Sequence, residues 1–162
     1  YDIHRELEDA YSEYRMCRDN GTGYEVRYIS QDISPTASND TIICFLTTVS
    51  LPMTGAAMQE IRLGAVFDRE TGRALSNWEL FNLPEAEARQ WLLKAADIND
   101  PGLLSEMEAA MKPEHIIVFP DNLEVGFPQG TLEGEEYSYL IGLDYDKELK
   151  AVLQPWAVPD SR

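Results

Sequence analysis

Apolar positions recur first at helical spacing, then at strand spacing, then at helical and again at strand spacing. Over residues 3–16, Ile3, Leu7, Ala10, Tyr11 and Tyr14 fall near one helical face, with Glu6, Glu8, Asp9 and Glu13 largely outside it. This predicts an amphipathic helix over about 1–20, ended by Asp19-Asn20-Gly21-Thr22-Gly23. Residues 24–32, rich in Val, Tyr and Ile, read as a strand, and Ser34-Pro35-Thr36-Ala37-Ser38-Asn39-Asp40 as a loop. Residues 41–50 form a strongly β-prone run. Leu51-Pro52-Met53-Thr54-Gly55 breaks the pattern before another strand at 60–68.

An acidic turn on Thr71-Gly72 follows. Ser76, with Glu79 three residues on, makes a capping box before Trp78, Leu80 and Phe81. Helical spacing then takes over. Pro84 stands at a first helical position, and Ala88, Trp91, Leu92, Ala95 and Ala96 repeat through residue 97. Asp100-Pro101 opens a second helix with Leu103, Leu104, Met107, Ala110 and Met111 on one face, stopped at Lys112-Pro113. Residues 115–119 read as a strand and Pro120-Asp121-Asn122 as a tight turn. Leu123, Val125 and Phe127 then alternate with polar or small residues. A polar loop at 130–136, a strand at 137–145 and a short helix at 147–153 complete the series. Strands, helices and strands again, with no internal repeat or linker, predict one α+β domain over 1–162: an antiparallel sheet, two central helices and a short C-terminal helix.

The length of 162 residues suits one such core. No apolar run approaches the ~20 residues that cross a bilayer, so direct membrane insertion is not expected of this stretch. Tyr1 is not a start methionine, and nothing after it reads as a signal sequence, which points to a fragment with an upstream leader or anchor. Thirteen basic against 29 acidic residues give −16, which makes nucleic acid and anionic membranes poor partners. Residues 76–162 are the more acidic part, with 17 acids and 6 bases against 12 and 7 in residues 1–75. Cys17 and Cys44 permit one disulfide in an exported protein, or two buried thiols.

The inventory for catalysis is thin. His4 and His115 are the only histidines, neither in a metal-ligand spacing, and His115 at the start of an apolar strand reads as structural or solvated. Nucleophile elbow, phosphate loop and activated cysteine are all missing, and Asp144 with Asp146 does not make a calcium loop. No cofactor or metal is expected. Glu133, Glu135 and Glu136 share a loop, and Asp144 and Asp146 end a strand. Pairs among these could serve glycoside hydrolysis, but nothing fixes their separation. Asn20-Gly21-Thr22 and Asn39-Asp40-Thr41 are glycosylation sequons in expected loops. Binding remains. Phe127, Tyr137, Tyr139 and Tyr145 are interspersed with acids between 124 and 148, a composition that suits an interface or a sheet.

Several short segments resemble, in this order, the C-terminal extracellular module shared by RsiV-type anti-sigma factors and some bacterial peptidoglycan deacetylases. Thr54-Gly55-Ala56-Ala57 is similar to that family's small-residue segment. Phe67-Asp68-Arg69-Glu70-Thr71-Gly72 matches its strand end and turn, and Leu75-Ser76-Asn77-Trp78-Glu79-Leu80-Phe81 its helix start. Two helices, Phe119-Pro120-Asp121-Asn122-Leu123 and the element at 143–153 follow. The resemblance covers 24–153. The chain departs from the pattern at Met58, where family members often carry histidine, and in lacking an alignable closing Pro-Tyr motif. The resemblance implies the fold and an exported, extracellular setting. In the RsiV branch it also implies a receptor for lysozyme, a cationic enzyme whose binding releases a sigma factor. The expectation is a non-enzymatic binding or sensing module for a cationic protein or cell-wall ligand. Its candidate residues are Glu133, Glu135, Glu136, Tyr137 and Tyr139, with Asp121 and Asn122 on the neighbouring turn. A glycan hydrolase using paired carboxylates and a purely structural module are the alternatives.

Overall fold

The computed structural model describes residues 2–24, 29–52, 58–133, 135 and 137–160. It is α+β, with two antiparallel sheets and four helices. The first sheet holds β1 (Ser30–Ser38), β2 (Ile42–Pro52), β3 (Met58–Asp68) and β4 (Ala74–Leu75) in that order. The second holds β5 (Ile116–Val118), β6 (Asn122–Phe127) and β7 (Tyr139–Asp144). Between them lie α2 (Glu85–Ala95) and α3 (Pro101–Ala110). α1 (Ile3–Asp19) precedes the sheets, and α4 (Lys147–Val152) follows.

The expected antiparallel strands are divided between two sheets. β5 pairs with β6 and packs against β3 without joining its ladder. The first described strand is also shifted. Its span includes Ser34 to Ser38, expected as a loop, while residues 25–28 of the expected strand lie outside the described residues. Pairing with β2 overrides the loop-like composition, and the ladder slips between Pro35 and Ala37. An edge strand tolerates proline at such a bulge.

The turn between β3 and β4 is built by one carboxylate. Asp68 Oδ1 accepts from the backbone N–H groups of Glu70 and Thr71 and from the Thr71 hydroxyl, and Gly72 takes φ +72°. These bonds hold the Asp68 carboxyl below its usual range. Ser76 then caps as expected, with Glu79 returning a bond to the Ser76 N–H at 2.8 Å. The element is a single 3₁₀ turn, Asn77–Leu80, and α2 starts afresh at Glu85. Asp100 caps α3 and Asp146 caps α4 through their side chains.

Two asparagines tie the parts together. A Cβ on Gly64 would sit 2.1 Å from the Ile116 carbonyl oxygen, so only glycine lets β3 pass this close to β5. Beside that crossing, the buried Asn77 amide donates to the carbonyls of Gly64 (3.2 Å) and Ile116 (2.7 Å). Asn39, in the β1–β2 turn, donates to the carbonyls of Trp156 and Val158 and accepts from the N–H groups of Thr41 and Ile42. The core joins both sheets to the helices through Val66, Leu80, Phe81, Leu92, Met107, Ile116, Val125, Phe127 and Leu149. By contrast, none of the residues of α1, all described, is buried.

Candidate functional site

β6 and β7 form a regular hairpin whose faces are fixed by register. The pairs Asn122↔Asp144, Glu124↔Gly142 and Gly126↔Leu140 share one face, while Leu123, Val125, Phe127 and Ile141 turn into the core. This arrangement divides the candidate residues. Asp121 and Asn122 lie at the β5–β6 turn, level with the end of β7. Glu133, Glu135, Tyr137 and Tyr139 belong to the loop and strand start at the other end of the hairpin. Five strand steps of about 3.3 Å each separate the two ends by roughly 17 Å. The turn is thus not a neighbour of the acidic loop. Glu136 lies outside the described residues.

Within the loop end the side chains play different parts. Tyr137 is 72% exposed, and Leu140 on the outer face is 47% exposed. Tyr139 instead packs against the core, opposite Phe127. Glu133 is exposed, and its N–H donates to the Glu106 carboxylate of α3 at 2.8 Å, which anchors the loop to that helix. The acids considered as a hydrolytic pair are likewise apart. Asp144 is at the turn end of β7, and Asp146 Oδ1 accepts the Leu149 N–H of α4.

One cation reaches the outer face of the second sheet from outside it. Arg62 of β3 forms an ion pair with Glu124 at 2.5 Å and lies 5.9 Å from the Phe119 ring centre. Burial holds the Glu124 carboxyl above the usual carboxylate range, against the opposing pull of Arg62. The sequence itself holds no Lys or Arg from residue 113 to residue 146 but carries Glu114, Asp121, Glu124, Glu133, Glu135, Glu136, Asp144 and Asp146. The second sheet and both its ends are therefore drawn from a wholly anionic stretch. That signal was present in the sequence, but counting charge by halves of the chain blurred it.

Elsewhere the polar groups serve the fold. His115 is 4% exposed, stacks edge-on against Phe127 at 5.8 Å, and its Nδ1 has no hydrogen-bond partner among the described residues. Burial lowers its pKa, with Glu114 opposing the shift. Cys44 is buried and its thiol is pushed up to about 12, while Cys17 on α1 is half-buried; both are free thiols. Within its sequon Asn39 itself is buried, with both protons of its amide engaged by the tail, whereas Asn20 is exposed after α1. No group of three or more metal-ligating side chains occurs among the described residues. Nor is any described helix long and apolar enough to cross a membrane. A groove of about 520 Å³ runs between α2 and α3 along Leu93, Ile98, Pro101 and Leu104, and takes no residue from 113–146.

No protein-family profile and no curated protein matches the sequence. Among solved structures, the chain is similar to a DUF3298 family protein from Pseudomonas aeruginosa PAO1, with a TM-score of 0.50 and 16% identity. The match covers 81% of this chain and 65% of that one, so this chain spans somewhat less than two thirds of its neighbour. At this identity the likeness is one of fold.

Proposed function

We propose that this chain is a non-catalytic docking module that binds a cationic protein or cell-wall ligand outside the cell. The observation that carries the reading is the anionic stretch from 113 to 146, folded as one sheet with exposed acids at both ends. A surface of one sign attracts ligands of the other and raises their association rate. The fold likeness supports the same reading, because DUF3298 is the RsiV-like domain family. The separation of Glu133 and Glu135 from Asp144, and the capping task of Asp146, argue against a paired-carboxylate hydrolase built from these acids. Calorimetric titration with a cationic animal-type lysozyme tests the reading. Binding should be measurable at low salt and weaken at least tenfold between about 0.05 and 0.5 M salt. No binding of lysozyme at low ionic strength removes that ligand. Binding indifferent to salt removes the electrostatic basis.

A further inference from the structure

We infer that β7 accepts an extended, basic segment of the partner as a fourth strand of the second sheet, an inference that rests on the cationic-ligand reading above. β7 is the last strand in the order β5–β6–β7, and among the described residues no strand pairs with its free side. Every second backbone N–H and C=O along that side therefore lacks a ladder partner.

The other long edge of the protein shows what protection looks like. In β1, Pro35 removes a donor and the ladder slips beside it. β4 is only Ala74–Leu75, and β5 is packed against β3 at the Gly64 crossing. β7 has neither proline nor bulge. It keeps an unbroken register with β6 from Phe127↔Tyr139 to Asn122↔Asp144. It also lacks the edge lysine that often discourages pairing.

Charge selects the occupant. Two copies of this edge would bring Asp144, Asp146 and Glu135 against their own kind, so self-pairing is opposed. A strand bearing Lys or Arg meets the opposite sign. The outer face of β7 presents exposed Leu140, Gly142 and Asp144 in succession. Gly142 leaves a gap in which a long basic side chain can lie, its stem on Leu140 and its charge toward Asp144. Exposed Tyr137, just before the strand, offers a ring to a second cation. The segment that fits alternates basic residues on this face with apolar ones beside Ile141 and Leu143.

The test uses the whole chain, isotopically labelled, and a ten-residue peptide alternating lysine and valine. A fully N-methylated analogue keeps the charge and side chains but has no backbone donor. The parent peptide should bind and shift the amide resonances of 139–144 together. The analogue should bind at least about tenfold more weakly, because strand addition draws its affinity from main-chain bonds. Leu140→Lys, a change at an exposed position, should weaken parent binding while leaving the circular dichroism spectrum unchanged. Equal binding of both peptides, or shifts confined to other regions, overturns strand addition and leaves the cationic-ligand reading standing. So does lysozyme binding with no peptide binding. Failure of lysozyme and peptides alike overturns both.

Discussion

α1 and α2 carry the same kind of amphipathic pattern and meet opposite fates. α2 buries Ala88, Leu92 and Leu93 in the core. α1 buries nothing, and Leu7, Tyr11, Tyr14 and Met16 on it are 41–61% exposed. Periodicity shows that a helix owns an apolar face, but not that anything covers it. What covers α2 is the core it shares with both sheets, with α3 packed alongside it. Trp78 contributes there too, lying 4.8 Å from the Arg89 guanidinium, which also donates to the carbonyls of Glu108 and Met111.

The contrast can be attacked in order of expected effect. Gly64→Ala should be worst, since its methyl group must displace the backbone at Ile116. A loss above about 3 kcal/mol is expected, or no folded protein at all. A urea midpoint near that of the parent would refute the crossing. Leu92→Ala, at a fully buried site, should cost about 3 kcal/mol in denaturant titrations. The matching Leu7→Ala on α1 should fall within about 0.5 kcal/mol. If the two leucines cost the same, the contrast between the helices is wrong. Asn77→Ala leaves two carbonyls at the joint without their donor and should cost about 2 kcal/mol. Hydrogen exchange should then quicken in β3 and β5 before it does in β1.

Near neutral pH the response centres on His115 at the joint. Burial lowers the His115 pKa in the folded protein, so the unfolded chain takes up the proton first as pH falls below about 6.5. Stability present above that pH is therefore lost on acidification toward the folded pKa. Urea midpoints at pH 7.5 and 5.5 should show the decline, and His115→Gln should flatten this part of it. A profile unchanged by the substitution would assign the slope to other groups. Glu124 works in the opposite direction, because its raised pKa favours the protonated fold as pH falls through the carboxylate range.

Much of the architecture could be read from residues. Asp100 and the Ser76–Glu79 box announced their helical starts, because a cap is a local interaction between one side chain and the next few N–H groups. The stretch Ser34–Ser38 could not be read that way, since its pairing with β2 is a tertiary fact. Splitting into two sheets also escaped notice, resting on a glycine crossing that no periodicity signals. For the candidate surface, composition identified the acidic loop but misjudged its company. A straight six-residue β6 carries Asn122 away from it, and the period of two turns Tyr139 inward.

Asn39 has one more implication, for timing. Its amide takes its acceptors from residues 117 and 119 positions further along, so the first hairpin is not complete until Trp156 and Val158 arrive. β2 can zip to β3 early, yet this latch must wait for residues more than a hundred positions further along. Folding should therefore finish where it began, with the tail locking the turn between the first two strands.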